Sequence, residues 1–212
     1  YCPRCGASMA AEAVTASGCG LCRDRKLPWD HVLRLGAYRE PMRSWIIRMK
    51  FHGNWGWAEW FGEQLADAIK DADQPRPDVI VPVPLHWMRT LRRGFDQSRV
   101  MAETCGRVAQ LPVARLLRRH RRTRPQSRIT AKQHRWENVR DAFTIRPIDL
   151  SGAHVLVVDD VTTTGSTARA CVGLLRKSGA ARVDLAVAAV VDPHETATGG
   201  GGNEKTGGFV KH

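Results

Sequence analysis

No stretch of this chain approaches the roughly 18–20 uninterrupted apolar residues needed to cross a bilayer, and its beginning carries no secretory h-region. Membrane insertion is therefore not expected, and the visible sequence points to the cytoplasm. The first residue is Tyr1 rather than Met, so this start is not expected to be the native one and an upstream address signal stays open. No internal repeat is present, which argues against a solenoid or a propeller. Acidic residues are the scarcer sign, 21 against 33 Lys and Arg, which leaves a formal charge of +12. Much of the excess lies between Arg115 and Arg140. Such a balance favours anionic partners (phosphates, pyrophosphate or nucleic acid) without choosing among them, and a solvated basic face is the plain alternative.

What is present suits one α/β domain with a small appendage: 212 residues, 42% hydrophobic and 25% charged, are ordinary values for a globular chain of that size. Met42, Trp45, Ile46 and Met49 share a helical face, and Gly53–Gly56 breaks that helix. Trp57, Trp60, Phe61, Leu65, Ala68 and Ile69 recur at helical spacing. Val79–Val83 is a short apolar run of the kind that forms a buried strand. A loop, Pro84–Phe95, leads to a helix that Asp96 can cap, with Val100, Met101, Cys105 and Val108 turned inward. Val113–Leu117 and Ala142–Ile145 are further candidate strands, separated by the long basic segment Arg118–Arg140. Gly152 introduces the clearest strand, Val155–Val158. Ser166–Ser178 is a helix burying Ala168, Cys171, Val172 and Leu175, and Val183–Val191 is the last strand. Strands alternating with helices imply a mainly parallel sheet flanked by helices. Beyond Pro193 the Gly-rich composition predicts a disordered tail.

Of six cysteines, Cys105 and Cys171 sit alone in helical patterns, as buried thiols do. The other four form two tight pairs, Cys2-Pro-Arg-Cys5 and Cys19-Gly-Leu-Cys22. Four thiolates in this C-x2-C…C-x2-C arrangement can surround a tetrahedral Zn²⁺, though the intervening segment is slightly shorter than the usual ribbon range. Two disulfides fit poorly without evidence of secretion, and paired redox centres lack a thioredoxin-like context. A site with four cysteine ligands leaves no open position, so the ion is expected to be structural.

The most informative segment is Val155-Leu-Val-Val-Asp-Asp-Val-Thr-Thr-Thr-Gly-Ser-Thr167. A buried strand delivers two adjacent carboxylates, then a small hydroxyl-rich turn, then a helix. Backbone N–H groups, the hydroxyls of Thr162, Thr163, Thr164, Ser166 and Thr167 and the positive end of the helix make an anion site, and Gly165 permits close approach. Asp159 and Asp160 would repel a phosphate but suit a neutral diol one sugar length away. A phosphate at one end and a diol at the other describe ribose 5-phosphate. The plain alternative is that the acids only cap the helix. No Lys follows the glycine, so a Walker A loop is excluded.

With these residues in view, the sequence resembles the type I phosphoribosyltransferases and, more narrowly, the ComF family, competence-associated proteins with a phosphoribosyltransferase domain behind a Cys-rich zinc module. The marks are the two Cys pairs, Tyr38 with Lys50 and Gly53, Val81-Pro-Val-Pro-Leu-His86, Arg93-Gly-Phe-Asp-Gln97, and Gln126 with Arg135, Asn138 and Phe143. Asp96 departs from the family, which more often has Asn there; the change alters loop charge or improves the cap.

The resemblance implies a type I phosphoribosyltransferase fold over residues 75–193, behind a four-cysteine module at 1–27 and hood and connecting helices at 28–74, with the tail at 194–212. It implies 5-phosphoribosyl diphosphate as ligand, with Mg²⁺ carried mostly by the substrate's own oxygens. Asp159 and Asp160 would then contact the ribose hydroxyls, and Thr163–Thr167 the 5-phosphate. The pyrophosphate loop would be Pro82–Arg93, with Pro84, Leu85, His86, Arg89, Arg92 and Arg93 as candidates, unless these arginines are merely surface residues. Arg118–Arg140 would be the loop that closes over the site, with Lys132 and Arg135 reaching the leaving pyrophosphate and Asn138 fixing its base; a solvated basic hairpin is the alternative. The reaction implied is displacement of pyrophosphate from C1 by a nitrogen nucleophile. Trp29, Tyr38, Trp45 and Phe51 are candidates for a hood, or core residues. Alternatively the fold serves as a non-catalytic accessory of DNA uptake, binding single-stranded DNA or a competence helicase or other DNA-processing protein, or as a sensor of the sugar diphosphate.

Overall fold

The computed structural model describes residues 1–15, 18–51, 53–85, 87–120 and 142–192, with the backbone alone for Trp87, Arg89 and Arg92. At the N-terminus a turn of 3-10 helix, Ala11–Ala13, leads into the short antiparallel strands β1 (Val14–Thr15) and β2 (Gly18–Cys19). The main sheet contains β3 (Val32–Ala37), β4 (Val79–Pro82), β7 (His154–Thr162) and β8 (Arg182–Val190), ordered β3-β8-β7-β4 with every pairing parallel. Between β3 and β4 lie helices α1 (Met42–Phe51) and α2 (Gly56–Lys70), and after β4 come α3 (Trp87–Arg93) and α4 (Gln97–Ala109). β5 (Leu117–Arg119) and β6 (Phe143–Ile145) form an antiparallel ribbon, and α5 (Ser166–Lys177) joins β7 to β8.

A strand buried on both faces needs an apolar residue at every position, and β7 supplies one from Val155 to Val158. Because side chains alternate across a strand, Val155 and Val157 pack in the cluster that holds Cys171, Val172 and Leu175 of α5. Leu156 and Val158 enter the cluster made by Phe61 and Leu65 of α2 with Met101 and Cys105 of α4. The sheet is thus covered by α5 on one face and by α1, α2 and α4 on the other.

Three elements differ from the sequence expectation. β3 has no local signal, because Val32-Leu-Arg-Leu-Gly-Ala37 shows no alternation; it forms an edge strand, half-buried over most of its length, that hydrogen-bonds to β8. The expected strand Val113–Leu117 is reduced to a bridge from Val113 to Ile80, and pairing resumes only at Leu117 because Leu117 to Arg119 face β6 instead. The expected loop after β4 contains α3, a short helix whose sequence, Trp-Met-Arg-Thr-Leu-Arg-Arg, has no clear apolar stripe. The tail beyond 193 and most of the basic segment, 121–141, lie outside the described residues. No described helix is long and apolar enough to cross a membrane.

Candidate functional site

β7 does not stop at Val158. Its pairing with β8 continues through Asp159–Val187 and Val161–Ala189 to Thr162–Val190, so both acids belong to the strand itself and neither caps a helix. By the alternation of β7, Asp160 points to the face covered by α1 and α4. Its Oδ2 lies 3.0 Å from Lys50 Nζ at the end of α1 and accepts from Gln97 Nε2 of α4 at 2.7 Å. Asp159 Oδ1 accepts from Ser98 Oγ at 3.1 Å and from the Asp160 amide at 2.8 Å. Burial, reinforced by the neighbouring Asp160 charge, pushes the Asp159 carboxyl up to about 7. Gln97 is 3% exposed and its Oε1 has no hydrogen-bond partner among the described residues. The amide orientation is set by Asp160, which can only accept, so the buried Oε1 is the group left without a partner. Such an acceptor calls for a hydroxyl or a water.

The acids open onto a polar hollow of about 170 Å³ at the C-terminal ends of β4 and β7, where parallel α/β sheets commonly bind ligands. Lys50, Pro84, Leu85, Arg93, Gln97, Ser98, Arg119 and Thr167 line it with Asp159 and Asp160. Of the residues singled out by sequence, the structure therefore brings together both acids, Thr167, Pro84, Leu85 and Arg93. Leu85 N–H is already engaged, donating to Asp96 Oδ2 at 3.0 Å, while Asp96 Oδ1 accepts from Arg99 N at 3.2 Å as the N-cap of α4. Asp96 thus performs the capping role and also ties the loop after β4 to α4. Burial raises its carboxyl above the usual range. The Arg93 guanidinium stacks over the Phe51 ring at 5.3 Å. His86, Lys132 and Arg135 lie outside the described residues, as does the Arg89 side chain.

The Thr-rich turn begins at Thr162. Thr163 and Thr164 are exposed, and Gly165 is the N-cap of α5 with φ 73°, in the left-handed region that favours glycine. The hydroxyls of Thr164 and Ser166 share a hydrogen bond of 2.8 Å. The first N–H groups of α5 have no helical acceptor, which suits an anion. Thr162, Thr163, Thr164 and Gly165 do not line the acid-rich hollow. They border a second, smaller one of about 60 Å³ whose opposite wall includes Cys5, Cys22, Arg25 and Trp29.

That wall belongs to the thiol module. The Sγ atoms of Cys2, Cys5, Cys19 and Cys22 all lie within 4.8 Å of one another, with Cys2–Cys22 and Cys19–Cys22 at 3.8 Å and Cys5–Cys19 at 3.7 Å. A tetrahedral ion with bonds of ~2.3 Å requires sulfur–sulfur edges of ~3.8 Å, so the donor set fits a metal. It does not fit disulfides, whose sulfurs approach to ~2.05 Å. Burial pushes the Cys5 and Cys22 thiols up, so thiolates gathered there need a cation. Gly18 has no room for a side chain: a Cβ would stand 2.6 Å from Cys22 Sγ.

Sequence reasoning gave Lys50 and Gln97 no role of their own and passed over Ser98 and Arg119. Gln97 and Ser98 were findable as the first residues of α4, directly after the Asp96 cap, near the sheet edge where parallel α/β sheets commonly bind ligands. Lys50 entered only as a mark of the resemblance and Arg119 only as part of the basic segment; their place beside the acids is set by tertiary folding. Of the hood candidates, Trp29 is buried under the turn, Trp45 stacks on Trp57 at 5.4 Å, and Phe51 is exposed beneath Arg93.

Comparison with known proteins matches residues 91–198 to the phosphoribosyl transferase domain. Competence protein F of Haemophilus influenzae is 31% identical over 192 residues, covering 87% of this chain and 82% of that protein. The DNA utilization protein YhgH of Escherichia coli K12 is 30% identical over 189 residues, 87% of this chain and 81% of that one. Competence protein ComFC of Bacillus subtilis is 28% identical over 200 residues, 86% of this chain and 74% of that one. Among solved structures, the adenine phosphoribosyl transferase of Trypanosoma brucei, solved with AMP, pyrophosphate and ribose-5-phosphate, is 15% identical with a TM-score of 0.45. The match covers 81% of this chain and 86% of that one.

Proposed function

The chain belongs to the ComF family of phosphoribosyltransferase-domain proteins, and on that premise we propose that it binds 5-phosphoribosyl diphosphate with Mg²⁺ at the ends of β4 and β7. One observation carries this reading: both carboxylates, Thr167 and the side chains of Lys50, Arg93 and Arg119 meet around one polar hollow. The ligand has anions at its two ends and a neutral diol between them. Asp159 and Asp160 would accept from the ribose hydroxyls. Ser166, Thr167 and the first amides of α5 would hold the 5-phosphate, with Thr162, Thr163, Thr164 and Gly165 shaping the turn. Lys50, Arg93 and Arg119 would meet the diphosphate through charge-assisted hydrogen bonds, with Pro84 and Leu85 supplying that edge of the hollow. His86, Arg89, Lys132 and Arg135 would make the pyrophosphate contacts that the family resemblance implies.

The chemistry proposed is displacement at C1: the bond to the pyrophosphate oxygen breaks, a bond to a nitrogen nucleophile forms, and the nucleophile gives up its proton. Fixed cations that meet the charge growing on pyrophosphate lower the barrier. Mg²⁺, held mostly by the ligand's own oxygens, would add neutralisation of that charge. The four thiolates are assigned to a structural Zn²⁺. The names of the relatives, competence protein F and DNA utilization protein, support a role in the uptake or use of DNA.

Calorimetry with the sugar diphosphate and Mg²⁺ tests this reading. Wild type should bind, and Asp159→Asn/Asp160→Asn should bind far more weakly; equal affinities would remove the acids from the site. A second reading, a non-catalytic accessory that binds single-stranded DNA or a helicase, is favoured by the charge of +12. It requires DNA affinity that falls steeply with salt, and a flat response would count against it.

A further inference from the structure

We propose that Trp29 is a positioning residue through which the metal-bound thiol module sets the shape of the Thr-rich turn, so that affinity for the ligand's phosphate depends on metal occupancy. This rests on the reading of that turn as the phosphate grip.

The connection is a chain of direct contacts. The first Cys pair encloses Arg4, and the Arg4 carbonyl accepts from Trp29 Nε1–H at 3.0 Å. The Trp29 ring is 5% exposed and lies flush on the turn. A Cβ at Gly165 would stand 2.8 Å from its Cη2 atom, well inside van der Waals contact. Gly165 is the left-handed N-cap of α5, has no side-chain cap, and its carbonyl accepts from Arg169 N at 2.8 Å. Arg169 in turn reaches back toward the module, with its guanidinium 5.5 Å from the Trp29 ring centroid and Nη1 donating to the Lys26 carbonyl at 2.6 Å. Cys5, Cys22 and Trp29 share a hollow with Thr162–Gly165.

Other ties fasten the module to the sheet rather than to the turn. Val32 N–H donates to the Pro3 carbonyl at 2.7 Å, and Ser8 N–H to Asp192 Oδ1 at 2.7 Å. Losing the metal would therefore leave the module attached through Pro3 and Ser8 while freeing the Cys2 and Cys5 thiols on either side of Arg4, so that the direction of the Arg4 carbonyl is no longer fixed. The indole would lose its anchor, and the left-handed glycine beneath it would gain freedom. Amides that point at a phosphate are effective only while their directions are fixed beforehand. The module thus serves as a wall of the phosphate site as well as a separate appendage.

Ribose 5-phosphate, which carries both diol and phosphate, is the probe. Its affinity is measured by calorimetry on the full chain, zinc-loaded and after chelation. Zinc content is determined by atomic absorption, and folding by circular dichroism. Removing zinc from wild type should weaken binding about five-fold or more, the lower end of ordinary coupling between sites. Zinc-loaded Trp29→Ala should lose a similar factor while keeping its zinc, and chelation should then cost it little more, because coupled losses do not add. Trp29→Phe keeps a ring over Gly165 without the N–H. It should bind like wild type when loaded and respond less than wild type to chelation, which separates positioning from simple packing. Wild-type affinity in Trp29→Ala, or an undiminished chelation effect in both variants, would overturn the proposal. If loaded wild type fails to bind ribose 5-phosphate at all, the phosphate reading falls first and takes this proposal with it.

Discussion

At its beginning β7 carries His154, and at its end Asp159 and Asp160, and the protein surrounds these polar groups in opposite ways. At the first end, Asp184 of β8 receives His154 Nε2 at 2.9 Å, Arg182 Nε at 3.1 Å and Arg182 Nη2 at 3.0 Å. Arg182 Nη2 also donates to Gln74 Oε1 at 2.6 Å, and the His154 amide to Asp78 Oδ2 at 2.7 Å. Burial alone would raise the Asp184 carboxyl, but the hydrogen bonds from His154 and Arg182 outweigh it and hold the group below the usual range. At the other end, two carboxylates sit side by side with Lys50 paired to one of them, and the other is driven up to about 7. Buried charge that is fully compensated is tolerated by a fold, and becomes costly when one partner is removed. Buried charge left partly uncompensated destabilises it and is retained where a ligand completes the site.

The contrast between the two ends breaks most forcefully at the closed one. Asp184→Ala should cost about 3 kcal/mol by denaturant unfolding, because it strands the buried His154 donor and takes the acceptor from the half-buried Arg182, and should leave ligand affinity unchanged. At the open end, Asp159→Asn/Asp160→Asn should lower affinity for the sugar diphosphate about a hundredfold by calorimetry, the value of two charge-assisted hydrogen bonds. Stability should not fall in proportion.

A third test separates the ends by pH. With a raised carboxyl, folded Asp159 holds a proton that the unfolded chain releases. Its contribution is fully present below about pH 4 and is lost as pH rises toward 7. Asp159→Asn should therefore gain on wild type across that window, by about 2 kcal/mol. This is roughly half the full linkage value, because the group is partly open to water. Asp184, held low, contributes stability that is lost only as pH falls below about 4. The smallest effect belongs to an exposed control: Glu103→Gln removes the pair with Arg99 at 2.7 Å and should change stability by less than about 0.5 kcal/mol.

Whatever depends on neighbours in sequence was legible beforehand. The apolar run Val155–Val158 announced a doubly buried strand, and the small hydroxyl-rich stretch ending at Gly165 announced the turn between that strand and α5. The cysteine spacing announced a tetrahedral cluster, and Asp96 a helix cap. Elements whose local pattern is weak were missed. β3 exists because β8 offers it a partner, and α3 is too short to show a stripe. The strand end expected at Val158 moved to Thr162 because β8 keeps pairing with it.

The sequence alone determined the types of chemistry available: paired acids, a hydroxyl-rich bend, clustered thiols and an excess of cations. These follow from adjacent residues and short spacings. Only tertiary structure decided what faces what. It set Lys50 and Gln97 on Asp160, left the buried Gln97 carbonyl oxygen without a partner among the described residues, and laid Trp29 across Gly165 so that the thiol module abuts the turn. Those contacts join residues far apart in the chain, and their geometry is fixed by the packing of helices on the sheet rather than by any local pattern.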